Sequence, residues 1–391
     1  MSLAHLEDTT DRNVDEISNA ASLSEKTDIA MQVVEHEPTL SVVPQTEWDD
    51  CISLFSDIIP EQTGIFNVSH WGTRNIECVC IRLGDKIIGG AVLIVRQIPF
   101  STTGLAVLKW GPVCNAEQGD DYETRYELVV KALIREYCEK RNYHLTIMPV
   151  ANPDSVELAP QVLSSMGFST GNTLAAPERY IVNTGQTSEE LRSSLNQKWR
   201  YNLRKAHKNE FRIEFASTVE GLEVFLALYA KMMARKQFHD SSAIDALRNI
   251  LDNGNSSTKP VIVLVYHDGE VTAGGVFSFY GDMTSYMFGA TDDRALGLKA
   301  GYAMHWWVAE HLCNQSQSLW YDLGGNDLDA GLHQFKKGFI GKTGHILQSP
   351  PRFHIATSFI AKLAGTIIFK LRDSKAAATR FVYRMKQKAG R

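Results

Sequence analysis

VIVLVYHDGEVTAGGVFSFY, residues 261–280, reads as two apolar strands joined at Asp268-Gly269, a dipeptide suited to the tight turn of a hairpin. A glycine pair, Gly274-Gly275, falls early in its second strand. TSYMFGAT then reads as a strand, LKAGYAMHWWVAEHLC as a helix apolar nearly all round, and SLWYDLGG as a further strand. The same succession occurs nearer the N-terminus. ECVCIRLGDKIIGGAVLIV (77–95) turns at Gly84-Asp85 and carries Gly89-Gly90. LAVLKWGPV follows as a strand, DYETRYELVVKALIREYCEK as a helix with Tyr126, Val129, Leu133 and Tyr137 on one face, and HLTIMP as a strand. The glycine pairs lie 185 residues apart. This order predicts a duplicated α/β (α+β) fold with mixed sheets; two unrelated mixed domains with similar hairpins are the alternative.

The chain has 391 residues, 44% hydrophobic and 22% charged. That is enough to bury two cores, and it excludes collagen-like, coiled-coil and wholly disordered classes. The six cysteines, Cys51, Cys78, Cys80, Cys114, Cys138 and Cys313, form neither a disulfide framework nor a paired C-x-x-C metal spacing. With no export segment and no run near 18 apolar residues, a cytoplasmic protein without a metal site is expected.

The charge is uneven. Residues 1–40 carry nine acids against Arg12 and Lys26 and no aromatic ring, so they read as a disordered acidic leader. From Ile355 to Arg391 nine Lys and Arg stand against the single acid Asp373, and Ile355, Phe359, Leu363 and Ile367 form one apolar helical stripe. The expected divisions are the leader 1–40, an N-terminal domain 41–180, a C-terminal domain 181–352, and basic C-terminal helices at 353–391. The tail either rests on an anionic inner-membrane surface or packs against the second domain.

Between the copies, SEELRSSLNQKWRYNLRKAHKN (188–209) predicts a helix. Leu191, Leu195, Trp199, Leu203 and Ala206 cover one face, and Lys198, Arg200, Arg204, Lys205 and Lys208 lie on the other. Ser188 with Leu191 three residues on is not a capping box. The cationic side is either simply solvated or binds an anion.

KWRYNLRKAHKNEFRIEF, TSYMFGATDDRALGLKAGYAMHWWVAEHL and above all LWYDLGGNDLDAGLHQFKKGF resemble the FemAB-type branch of the GNAT acyltransferase superfamily. The likeness is good over residues 180–350 and architectural over 41–180. It implies tandem GNAT-like domains, with an acceptor amine attacking an activated carbonyl in or beside the cleft between them. It also implies an aminoacyl-tRNA or an acyl thioester of CoA or a carrier protein as donor, no tightly bound cofactor, and a peptidoglycan or surface-polysaccharide precursor as acceptor. Such chemistry needs a neutral amine, cationic groups where the oxyanion forms, and an outlet for a proton.

Residue by residue, the likeness places Phe335-Lys336 near the reaction centre, with Lys336 stabilising the oxyanion or donor ester; otherwise it is a surface lysine. It gives Lys198, Arg200 and Arg204 the phosphate of the acceptor. Tyr286 is a cleft tyrosine or a ring that only packs. Asp322, ending an apolar strand beside Gly324-Gly325, is a base or the cap of a turn.

Relatives that use acetyl-CoA carry Q/R-x-x-G-x-G/A, whose backbone amides hold pyrophosphate. Here Arg294 and Gly297 fit, but Lys299 stands where Gly or Ala is expected. That sets the usual acetyl-CoA pose against another thioester or a tRNA end. GFIGKTG lacks the first Walker glycine, His305 reads as a core histidine, and no H-E-x-x-H or G-x-S-x-G occurs. The leading expectation is an N-acyltransferase acting on an envelope-precursor amine. The alternatives are an acetyl-CoA-dependent sugar or lipid-linked amine acetyltransferase of exopolysaccharide assembly, and a non-catalytic tandem-GNAT binding module.

Overall fold

The protein is described by a computed structural model covering residues 37–114, 122–171, 178–236, 243–315, 318–325 and 329–389. In chain order the strands are β1 (Thr39–Val43), β2 (Ile76–Leu83), β3 (Lys86–Gln97), β4 (Gly104–Lys109), β5 (Tyr143–Met148), β6 (Ser169–Thr170), β7 (Glu178–Asn183), β8 (Arg212–Phe215), β9 (Val261–His267), β10 (Glu270–Ser278), β11 (Met283–Thr291), β12 (Trp320–Asp322), β13 (His345–Gln348) and β14 (Phe353–Ile355). They build two seven-stranded sheets, ordered β1-β2-β3-β4-β5-β14-β6 and β8-β9-β10-β11-β12-β7-β13. Among the described strands, the fourth and fifth of each sheet run parallel and every other neighbour pair is antiparallel. The two halves therefore share one mixed α/β topology, as the repeated hairpins predict.

The sixth position in each sheet is filled from elsewhere. β7, which directly follows the first half, lies between β12 and β13 of the second sheet, and β14, which follows the second half, lies between β5 and β6 of the first. The expected boundary at 180/181 thus falls inside β7, and that at 352/353 falls just before β14. Phe353–Ile355 belongs to the first sheet rather than to a helical tail. The leader also ends earlier than expected, because Thr39 and Leu40 pair with β2; residues 1–36 lie outside the described residues.

The helices are α1 (Gln45–Cys51), α2 (Gly64–Trp71), α3 (Tyr122–Leu133), α4 (Leu158–Ser165), α5 (Ser188–Ser194), α6 (Gln197–Ala206), α7 (Val219–Lys236), α8 (Leu247–Asn253), the single turn α9 (Ala295–Leu298), α10 (Ala300–Gln315), α11 (Ala330–Ile340) and α12 (Phe359–Ala389). Tyr126, Val129, Leu133 and Tyr137 are buried on the first sheet, as their spacing predicts. At Gly90 a Cβ would come within 2.3 Å of the Trp48 ring, so that glycine lets the indole sit on the sheet.

The segment 188–209 is two helices, not one. Thr187, one residue before the position considered, makes a full capping box with Glu190. The chain then leaves helical geometry at Leu195, and Asn196 caps α6 by accepting from the Lys198 amide at 2.9 Å. The apolar face holds: Leu191, Leu195, Trp199, Leu203 and Ala206 are all buried, with Trp199 stacked on Phe339 at 4.4 Å. All six cysteines are free.

Candidate active site

β11 is nine residues long but pairs with β12 over three, Met283 with Trp320, Thr284 with Tyr321 and Ser285 with Asp322. Beyond Ser285 the two parallel strands part. A bulge in the pairing with β10 accompanies the separation: Phe277 opposes Tyr286 and Val276 opposes Phe288, leaving Met287 as the extra residue. In the first half β4 stays paired with β5 from Gly104 to Lys109. Among the described residues the splayed cleft therefore lies in the second half.

That cleft has a volume of about 640 Å³. Residues 285–291 form one wall and residues 323–325 with Phe335 and Lys336 the other, while Gly301, Met304 and His305 of α10 close its back. The first half supplies the facing side through Glu61, Asn67, His70, Trp71 and Lys109.

Lys336 lies on α11, whose N-cap Asp329 accepts from the Leu332 amide at 2.7 Å. It is 6% exposed, which overturns the surface-lysine alternative. Its Nζ donates to the Leu323 carbonyl at 2.5 Å and also to the Gly325 carbonyl, so the ammonium is fixed at the end of β12 where the strands diverge. Phe335 beside it packs on Tyr302 and His305. His305 is buried, with Nδ1 2.6 Å from the Tyr321 hydroxyl. Burial first, and then the Lys336 charge, push its pKa down to about 3, so the ring is neutral. It is the core histidine expected, and it also lines the cleft.

Tyr286 lies on the cleft wall with its ring 4.8 Å from that of His305, and burial raises its pKa. Space for the hydroxyl comes from Gly289, where a Cβ would lie 1.5 Å from it. Asp322 is 3% exposed; its Oδ2 accepts from Arg179 Nε at 3.0 Å and from Nη2, and its Oδ1 accepts from the Gly324 amide at 2.7 Å. Both oxygens are thus committed to holding β7 and the 323–325 turn. This favours the turn-cap reading over a base.

The cationic helix residues separate. Arg200 donates to the Ser193 and Leu195 carbonyls and so closes the C-terminus of α5. Lys198 lines a second hollow of about 410 Å³ with Trp199, Tyr302, Phe335 and Lys337. Arg204, exposed on the same helix, lines neither hollow. Phe335 is common to both hollows.

The donor-loop residues bridge the cleft's Thr291 and Gly301 ends. Arg294 pairs with Asp292 at 2.7 Å and Glu270 at 2.9 Å, and Gly297 is exposed. Lys299 has φ 63° and ψ 31°, the left-handed conformation that explains why glycine suits this position. Its carbonyl receives the Tyr302 and Ala303 amides, so the turn into α10 survives the lysine. No sequence pattern pointed to Arg179, His70 or Lys109. Burial and then Lys109 lower the His70 pKa, leaving a neutral imidazole on the cleft.

Comparison with known proteins bears on this geometry at one point. The acetyltransferase (GNAT) domain family matches residues 192–337, the span that holds both cleft walls. GNAT domains take acyl-CoA as a substrate rather than as a resident cofactor. The crystal structure of FemX superposes with TM-score 0.68 at 16% identity, over 84% of this chain and 99% of that one. A conserved protein of unknown function from Bacteroides thetaiotaomicron VPI-5482 gives 0.53 at 13% identity, over 81% and 98%. L-PGS from Bacillus licheniformis gives 0.50 at 10%, over 85% and 98%. At these identities the likeness is one of fold. No curated protein matches the chain in sequence.

Proposed function

We propose that the GNAT domain transfers an aminoacyl or acyl group to an amine of a cell-envelope precursor, of peptidoglycan or surface polysaccharide. The observation that carries this reading is the splayed β11–β12 cleft with the buried ammonium of Lys336 fixed at its end. The amine nitrogen attacks the donor carbonyl, a C–N bond forms, and charge collects on the carbonyl oxygen near Lys336. The C–O or C–S bond to the donor then breaks, and the amine's surplus proton passes to the neutral imidazole of His70. The FemAB-like motifs and the FemX-like fold favour an envelope acceptor and admit aminoacyl-tRNA as donor. The intact turn at Lys299 favours the second reading, an acyl-CoA donor and an amino-sugar or lipid-linked amine acceptor.

The test is transfer of isotopic label from acyl-CoA or from charged tRNA to envelope precursors, read by mass spectrometry. A mass increase identifies donor and acceptor together. Tight precursor binding with no product from either donor would replace the proposal with a binding module.

A further inference from the structure

α12 has two unlike faces. Ala361, Gly365 and Phe369, four residues apart, are buried where the helix packs on β4 and β5. Gly365 allows that contact, since a Cβ there would come within 2.2 Å of the His144 ring; Phe369 lies 4.8 Å from the His354 ring, and Arg352 pairs with Asp373 at 2.7 Å. The opposite face carries Phe359 (79% exposed), Ile360 (62%), Leu363 (48%), Ile367 (48%) and Leu371 (66%). Of the apolar stripe read from the sequence, Ile355 lies in β14 and packs on the first core, while Phe359, Leu363 and Ile367 are exposed and the helix is held through its other side.

At 100° per residue these five side chains occupy a sector of about 120°, with Lys370 inside it near the Phe359 edge and Lys375 just beyond the Leu371 edge. Lys362 and Arg372 lie further round, and all four cations are exposed. The one acid of the segment, Asp373, is already paired with Arg352. A row of large apolar side chains this wide is rarely left to water. A second copy of the helix would bring these cations together without acids to pair them. Among the described residues no helix is long and apolar enough to cross a membrane.

We propose that α12 docks the protein on an anionic lipid bilayer, lying in the plane of the surface. The apolar row sinks to the acyl boundary, while Lys370 and Lys375 extend to lipid phosphates. This surface is independent of the acyl-transfer cleft.

Full-length protein is pelleted with vesicles of phosphatidylglycerol and phosphatidylcholine, and with phosphatidylcholine alone. Pelleting with the mixed vesicles alone, weakened by salt, is expected. The exposed-site variants Leu363→Asp/Ile367→Asp and the milder Leu363→Ser/Ile367→Ser should reduce the partition by ~10-fold or more, with unchanged melting. Lys370→Glu/Lys375→Glu should remove the preference for anionic lipid. Wild-type protein that stays in the supernatant, or serine variants that pellet like wild type, overturns the proposal. So does a concentration-dependent dimer that the same substitutions dissociate, since the row would then be covered by a second copy.

Discussion

Lys336 Nζ donates to the main-chain carbonyl of Leu323 at 2.5 Å, tying α11 to the end of β12 at the point where β11 leaves it. One side chain thus braces the cleft and places a positive charge in it. Lys336→Met, which keeps the stem and removes the charge, is expected to lower kcat by ~10²-fold or more, as loss of an oxyanion donor does. Label transfer per folded molecule measures this, with circular dichroism to confirm the fold. Undiminished turnover would remove Lys336 from the chemistry.

The buried Asp322 carboxylate relies on Arg179 from the exchanged strand β7. Arg179→Ala leaves that charge unpaired and should cost about 3 kcal/mol in denaturant unfolding, the lower end for a broken buried pair because the arginine is partly exposed. Asp322→Asn should keep most turnover per folded molecule. A loss of catalysis with normal stability would restore the base role.

Gly289 and Tyr286 form a lock-and-space pair on β11. Gly289→Ala should push the tyrosine ring into the cleft, raise KM for the donor, and destabilise by about 1–3 kcal/mol. Tyr286→Phe fits the same space, so steady-state kinetics of the two variants separate the volume of the ring from its hydroxyl.

Asp282, at the junction of the halves, receives the Asn152 amide and sits near Asp57 and Asp154. Burial, followed by those two charges, pushes its pKa up to about 7 from 3.8. The folded state then holds a proton that the unfolded chain has released, so the contribution of this group to stability is lost as pH rises from about 4 through about 7. Asp282→Asn should flatten that slope and raise Tm at pH 8, measured by thermal melts across the range. An unchanged slope would remove Asp282 as its source.

The hairpins and the apolar faces of α3 and α6 were legible because each depends on spacing within a few residues, whereas Phe335-Lys336 was singled out only by the family resemblance. The capping box at Thr187 was within reach one residue earlier than the position considered. Arg179 was not legible: within ERYIVN it reads as an ordinary polar position, and its partner lies 143 residues away. His70 and Lys109 reach the cleft only because the halves pack face to face.

The repeated strand-helix order follows from the amino-acid sequence alone, because turn glycines and hydrophobic period act locally. Tertiary structure decided which segment fills the sixth position of each sheet and which half opens. Those outcomes depend on backbone hydrogen bonds between distant strands, such as Phe353 against Ile147 and Tyr321 against Val182, that no local pattern specifies.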